Sequence, residues 1–137
     1  PCMLLHDLGS FSDDPVLRER VNGIFNKDRH TFLVNAPGTG KTRLAFEGLC
    51  QNWGLYFTAA VDSSDLGSND MNRILRNEVR WALRRPSRND ASRQTICRLF
   101  VQLLLSRLLV FHMFVQLAQN TGISEYHKKL WLIAQLR

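Results

Sequence analysis

Apolar residues recur with helical spacing through most of this chain, and two short apolar runs interrupt that pattern. Asp14 is followed by Pro15, which is typical of an N-cap and a first helical position, so we predict a helix from there to about residue 26. Apolar residues then run from Thr31 to Val34, as expected for a strand buried on both faces. Helical spacing returns at Lys41 and continues to about residue 53.

The second apolar run, from Leu55 to Val61, is rich in aromatic and β-branched residues and predicts a second strand. A strand, a loop, a helix and a strand in this order form the βαβ unit of a parallel sheet. We therefore predict an α/β fold with a βαβ core over residues 12–62, followed by a mostly helical part over residues 69–137. The chain stops within a helical pattern, so we expect an incomplete domain, truncated at its C-terminus.

In the helical part we predict a long helix from about Ala91 to Asn120, a turn at Gly122 and a last helix that Ser124 opens. One segment of the long helix, Leu99–Ala118, is long and apolar enough to span a bilayer. Six polar residues recur through and beside it at nearly helical intervals and form a narrow stripe: Arg98, Gln102, Ser106, His112, Gln116 and Asn120. Arg107 lies near the middle of the segment. A polar stripe and an internal arginine favour a buried helix of a soluble protein over a membrane span, so we predict no membrane partner.

Residues 35–42 read NAPGTGKT and match the Walker A P-loop pattern except at the first position, where asparagine replaces glycine. Gly38 and Gly40 allow backbone conformations that turn N–H groups toward a phosphate. Lys41 brings positive charge to the β- and γ-phosphates, and Thr42 offers a hydroxyl to Mg²⁺. We predict a nucleoside triphosphate site for ATP and Mg²⁺, formed by Asn35, Ala36, Pro37, Gly38, Thr39, Gly40, Lys41 and Thr42. The whole chain, residues 1–137, is then a single P-loop NTPase-like domain.

Hydrolysis requires a further carboxylate, usually at the end of an apolar strand, to organise Mg²⁺. Asp62 is the candidate because it directly follows the second apolar run; its alternative role is to cap that strand or to begin the next loop. Lys41 and Asp62 are therefore the candidate catalytic residues, and ATPase activity stays an open possibility. We expect the isolated chain to bind nucleotide and to turn it over negligibly.

The run from residue 30 to residue 70, together with EYHKKLWL near the end, resembles the P-loop segment of Crinkler-like proteins, which are abundant in fungi. The resemblance implies the start of an NTPase domain of the signal-transduction type, related to AAA ATPases. It places the nucleotide contacts on residues 36–42 and implies an ATPase or nucleotide-dependent switch segment of a larger protein. Effector or nuclease activity is not implied, because the chain shows neither the family's N-terminal header nor a nuclease motif.

The formal net charge of +6 makes polyanions the natural class of partner. This charge is localised, since residues 73–98 contain eight arginines and two acidic residues. We predict a helix from Asn69 to Arg85, and one of its faces carries a basic stripe of Arg73, Arg76, Arg80 and Arg84. The alternative function is therefore a nucleic-acid-binding module with a regulatory or vestigial nucleotide site. A solvated face, or a surface that meets another part of a larger protein, is the other interpretation.

The three cysteines, Cys2, Cys50 and Cys97, are far apart in the sequence, which argues against a disulfide framework or a four-cysteine zinc site. The first ten residues lack the charged start and long apolar run of a secretory signal. We therefore expect an intracellular protein of the cytoplasm or the nucleus. The expected partners are a nucleoside triphosphate and either the missing C-terminal part of the domain or another protein, with nucleic acid as the alternative.

Overall fold

The computed structural model of the chain describes residues 5–26, 28–58, 69–74, 76 and 89–136. Helices account for 69% of these residues, and no strand occurs among them. A short 3₁₀ turn comes first, at Ser10–Ser12. The α-helices of the described chain are α1 (Pro15–Ile24), α2 (Lys41–Gln51), α3 (Asn69–Ile74), α4 (Asn89–Thr121) and α5 (Glu125–Gln135).

The predicted α/β fold is wrong for the described residues, which contain no parallel sheet and no βαβ unit. In the first apolar run, Phe32 and Val34 are 89% and 93% exposed, so the segment directs its apolar side chains into solvent. The β-propensity of such a run reflects packing against neighbouring strands more than a backbone preference. Because the described chain offers this run no ladder partner, it remains irregular.

The second apolar run is held by side chains from helices instead of by a strand. The Tyr56 N–H donates to Gln135 Oε1 at 2.8 Å, and the Tyr56 carbonyl accepts from the Arg107 guanidinium at 2.6 Å. That guanidinium also lies 4.5 Å from the centroid of the Phe57 ring. These bonds take up backbone groups that a β ladder would require. Residues 59–61, the rest of the predicted strand, lie outside the described residues.

The chain divides into two compact units. The first comprises the chain up to Gly54 together with Ile123–Ile133, and the second comprises Leu55–Gly122 together with the chain from Ala134 onward. The boundary that the sequence predicts, between residues 62 and 69, falls in a stretch that is mostly outside the described residues.

In the first unit, α1 and α2 pack against each other. The predicted start of α1 is confirmed, because the Asp14 side chain accepts hydrogen bonds from the N–H groups of Val16 and Leu17 at 2.8 and 3.2 Å. The Phe25 ring lies so close to Gly48 that a Cβ there would be 1.9 Å from a ring carbon. The buried apolar side chains of this unit are Leu8, Val21, Phe46, Leu49, Cys50, Trp131 and Leu132.

In the second unit, the long helix and the turn that follows it are confirmed. α4 is followed by Gly122, whose φ of +82° favours glycine. The predicted burial of α4 is wrong in the described structure, because none of its most apolar 18-residue window is buried. The segment Arg93–Thr121 also has the length and composition of a membrane-spanning helix. His112 is exposed as well.

Candidate nucleotide site

The predicted P-loop forms an exposed turn that leads into α2. Gly38 and Gly40 have φ values of +80° and +81°, a left-handed conformation that favours glycine. Gly40 is the N-cap of α2, and Lys41 is its first residue. A Cβ on either glycine would meet no atom within 4 Å, so backbone conformation and not space requires glycine here. The two glycines thus turn the chain directly into the start of a helix.

The Lys41 ammonium group lies against the loop itself. Its Nζ donates to the carbonyl oxygens of Asn35 at 2.8 Å and of Ala36 at 2.6 Å, and it lies 3.5 Å from Thr39 Oγ1. The Thr39 hydroxyl also donates to the Ala36 carbonyl at 2.9 Å. An ammonium group has three donors, and three neutral oxygen atoms face it here. A phosphate oxygen is a stronger acceptor for a cation than any of these, so an anion can replace them.

Asn35 occupies the position where the P-loop pattern usually has glycine. It does not adopt a positive φ, and its Oδ1 accepts a hydrogen bond from the Ala36 N–H at 2.8 Å. The side chain thus satisfies a backbone donor at the start of the loop. The substitution is accommodated by this bond and makes no use of asparagine's tolerance for left-handed backbone. The Ala36 N–H is therefore already bonded within the loop.

Behind the loop, α2 is anchored by Glu47, whose side chain is fully buried. The carboxylate accepts hydrogen bonds from the backbone N–H groups of Gly9 at 3.0 Å and of Phe11 at 3.2 Å. Arg43 lies 2.6 Å from the same carboxylate and donates to the Asp7 carbonyl, also at 2.6 Å. Its guanidinium lies 5.5 Å from the Phe11 ring centroid. These charge-assisted bonds tie the helix of the candidate site to the N-terminal segment.

Arg43 and Glu47 were not among the residues that the sequence predicted for this site. Their signal was a pair of opposite charges four residues apart on a helix, which is usually a weak surface pair. Burial of the pair depends on the N-terminal segment, whose N–H groups lie 36 and 38 residues away from Glu47 in the chain. A local pattern therefore could not have identified this anchor.

Three of the other predicted site residues lie in the described structure. Thr42 lies in the first turn of α2 and is half-buried, whereas Arg73 and Arg76 are exposed. Asp62, Arg80 and Arg84 lie outside the described residues. Within the described part of the chain, no group of three or more His, Cys, Asp or Glu side chains could hold a metal ion.

The loop residues fit a bound phosphate. The turn is exposed over residues 31–40, a Cβ on Gly38 or Gly40 would meet open space, and the Lys41 ammonium lies against that turn. The start of a helix adds partial positive charge at the same point. Mg²⁺ commonly binds through one or two protein groups plus phosphate oxygens and water, so the Thr42 hydroxyl suits it when nucleotide is present.

Comparison of the chain with family models, with curated proteins and with solved structures returned no match. The resemblance of residues 30–70 to Crinkler-like proteins therefore stays a prediction. The support for a function comes from the geometry of the glycine loop, of Lys41 and of α2.

Proposed function

We propose that this chain binds the phosphates of a nucleoside triphosphate, ATP with Mg²⁺, at residues 35–42. The observation that carries the proposal is the position of the Lys41 ammonium, which lies 2.6–2.8 Å from carbonyl oxygens of the loop that begins α2. A flexible cation, two left-handed glycines and a helix N-terminus meet there. Each of these features favours an anion.

Adenine is the preferred base because the chain has no guanine-reading motif after the P-loop. That motif has the form Asn-Lys-x-Asp, and no such run follows Thr42. The tripeptide at residues 26–28, Asn-Lys-Asp, lacks the spacer and precedes the loop. We therefore take ATP as the ligand and GTP as the competitor to be tested.

Phosphate binding exchanges the neutral acceptors of Lys41 for charged oxygens. The ammonium is compact and sits on a flexible stem, so it can turn from the carbonyls of Asn35 and Ala36 to a phosphate without moving the backbone. Because Asn35 takes up the Ala36 N–H, the phosphate would be met by the later part of the loop and the start of α2. Bound Mg²⁺ neutralises phosphate charge, and the Thr42 hydroxyl is the group that would hold it.

The proposed role is a nucleotide-dependent switch with negligible turnover. The loop supplies binding groups, whereas hydrolysis also needs an acid or amide to position water. Asp62, the predicted candidate, is to be tested by measuring phosphate release from ATP with the wild type and with Asp62→Asn. Multiple turnovers that this substitution abolishes would show that Asp62 is catalytic and that the chain is an ATPase.

Isothermal titration calorimetry with Mg-ATP tests the proposal. Lys41→Ala removes a charge-assisted contact worth about 1.5–3 kcal/mol, so we expect roughly 10- to 100-fold weaker binding. Arg18→Ala is the matched control, because it removes the same charge from an exposed position on α1. Equal affinity of wild type and Lys41→Ala would reject the site, and a strong preference for GTP would reject adenine.

Exposed arginines support a second candidate function, the binding of a nucleic-acid backbone. Arg73 and Arg76 are both exposed in the described structure, in the segment where the positive charge of the chain is concentrated. Backbone binding releases counterions and weakens steeply as salt is raised. Titration of DNA and RNA at two salt concentrations, with wild type and with Arg73→Glu/Arg76→Glu, tests this candidate. Binding that is unchanged by the double substitution would place any nucleic-acid site elsewhere.

A further inference from the structure

The long helix α4 carries an apolar surface that the described residues leave uncovered. Its exposed large side chains are Val101, Leu104, Leu105, Leu108, Leu109, Val110, Met113 and Leu117. They occupy roughly 24 Å of helix at about 1.5 Å per residue. Soluble monomers rarely expose contiguous apolar surface of this extent, which more often marks an interaction site.

The opposite face of α4 makes contacts within its own unit. Ala118 is buried, and the Arg107 guanidinium binds the Asp70 carboxylate and the Tyr56 carbonyl. The helix is therefore fixed to its unit by one face and presents the other outward. A binding partner would therefore contact a helix surface that is held in place by the rest of its unit.

Polar side chains run along the middle of the outward face. Because successive residues of an α-helix are about 100° apart, Gln102, His112 and Gln116 lie on one line along it. Further polar side chains of the described α4 on this line are Gln94, Arg98 and Asn120. Apolar side chains flank the line on both sides, with Leu108 on one flank and Met113 on the other. Leu105 and Leu109 lie on the same line, so the outward face is a mixed polar and apolar stripe between two apolar flanks.

We propose that this face of α4 is the contact surface between two copies of the chain, helix against helix. A bilayer is the other partner that an apolar helix of this length suits. Lipid contact, however, would place Gln102, His112 and Gln116 in hydrocarbon, where polar groups are costly. Against a second α4, glutamine and histidine can donate and accept hydrogen bonds across the contact. The stripe therefore favours a protein partner with the same surface.

The exposed area matches what a stable dimer needs. The eight apolar side chains are each 44–68% exposed. Together they offer on the order of 800 Å², about what each partner contributes to a standard interface. These side chains cover about two thirds of the helix circumference, so a contact between two helices buries part of this area, and the polar side chains between them add to the interface. A two-fold dimer uses one patch on both copies, so a single exposed surface is sufficient.

Sedimentation equilibrium of the full chain tests the dimer. The buffer contains a reductant, because Cys97 is exposed and could otherwise cross-link copies. We expect the wild type at micromolar concentration to have twice the 15.8 kDa mass of the chain. Val101→Gln/Leu108→Gln should weaken self-association at least tenfold from one flank, and Met113→Gln/Leu117→Gln should do the same from the other. Val16→Gln, at a site 59% exposed on α1, should leave the mass unchanged.

Three outcomes would overturn the proposal. One is a monomeric wild type across the concentration range, and another is a wild-type mass in both double variants. Because the substituted side chains are exposed, circular dichroism should show unchanged helix content in every variant. The third outcome is flotation of the wild type, but not of the double variants, with phosphatidylcholine vesicles, which would assign this face to lipid.

Discussion

Glu47 and Cys50 lie about one turn apart on α2 and show how burial acts on two different groups. Glu47 is fully buried, yet its carboxylate accepts backbone N–H bonds and pairs with Arg43. Cys50 is also buried, and desolvation, followed by the charge of Glu47, raises its pKa to about 11. The charges of Lys129 and Arg43 oppose this shift only in part. The thiolate of Cys50 is therefore scarce at neutral pH.

The first prediction is that Cys50 resists alkylation while Cys97 reacts. Only a thiolate attacks iodoacetamide at a useful rate, and burial also blocks access to Cys50. Cys97 is exposed on α4 and serves as the internal control. Peptide mass spectrometry after a short treatment of the folded chain at pH 8 should find carbamidomethyl groups on Cys97 and few on Cys50. Similar rates at the two cysteines would show that Cys50 is accessible or ionised.

Structural features that depend on a few neighbouring residues could be predicted from the sequence. The Asp14 cap is confirmed, and the two glycines of the P-loop pattern do adopt left-handed conformations. The anchor formed by Glu47 was missed, because its partners at Gly9 and Phe11 are distant in the sequence. Residue type and spacing specify a turn or a cap, but not which distant backbone groups will surround a charged side chain.

At the scale of elements, α2 packs closely against Phe25 at the end of α1. Gly48 lets the Phe25 ring lie directly on the helix backbone, since any Cβ there would overlap the ring. Gly23, in α1, has no atom within 4 Å of the place where a Cβ would stand. Both glycines thus lie within helices, but only Gly48 has another side chain packed where a Cβ would stand.

The second prediction follows from this contrast. Gly48→Ala should lower the free energy of unfolding by about 1–3 kcal/mol, because overpacking against Phe25 exceeds the gain in helix propensity. Gly23→Ala, the matched control, should raise it by about 0.5–1 kcal/mol, because only the propensity changes. Urea denaturation followed by circular dichroism measures both. Stabilisation by both substitutions would show that α1 and α2 are not packed as described.

In the second unit, α3 is joined to α4 by Asp70 and Arg107. The Arg107 guanidinium donates to both carboxylate oxygens of Asp70, at 2.5 and 3.0 Å. Partial burial by itself raises the pKa of Asp70, but the bonds from Arg107 and from the Met71 N–H, with the charge of Arg107, outweigh it. The pKa of Asp70 therefore lies below its usual 3.8.

The third prediction concerns the pH dependence of this pair. A carboxyl whose pKa is lowered on folding adds stability above its unfolded pKa, and this contribution is lost as pH falls through the lowered value. Asp70→Asn should lower the free energy of unfolding at pH 7 by less than about 1 kcal/mol, because the Asp70 side chain is still 44% exposed to solvent, which screens the pair. At pH 3 the difference from wild type should shrink. Asp28→Asn, at an exposed position, controls for the change in charge.

Urea denaturation at the two pH values measures this effect. A deficit in Asp70→Asn that is as large at pH 3 as at pH 7 would contradict the predicted ionisation of the pair. A similar deficit in Asp28→Asn would attribute the change to net charge.

Helix existence could be predicted for α1, α2, α4 and α5 from periodicity together with caps and glycine stops. The strands could not, because a short apolar run looks the same whether it joins a sheet or remains extended. The outcome depends on a partner, and Tyr56 found its hydrogen-bond partners in Arg107 and Gln135. For Phe32 and Val34, high β-propensity coexists with nearly complete exposure. Whether a segment forms a strand thus depends on a neighbouring strand that can pair with it, and not on the segment alone.

At the scale of the whole molecule, the surface of α4 shows that hydrophobic periodicity predicts a helix but not how much of it is buried. The sequence predicted a narrow polar stripe on an otherwise buried apolar helix, and the predicted burial is wrong for the described residues. Burial depends on how much of the chain folds back onto the helix, and in the described structure only one face is used. The apolar flanks are consequently available to a second copy.

The fourth prediction concerns the place where nucleotide binds. Amide chemical shifts in ¹H–¹⁵N spectra of the full chain, recorded during a titration with Mg-ATP, report that place. We predict that the largest shifts fall on Gly38, Gly40, Lys41 and Thr42, and that Lys41→Ala greatly reduces them at the same ligand concentration. Arg18→Ala should reproduce the wild-type shifts. A spectrum that is unchanged by millimolar Mg-ATP, or shifts confined to residues outside 35–42, would contradict a phosphate site in the glycine loop.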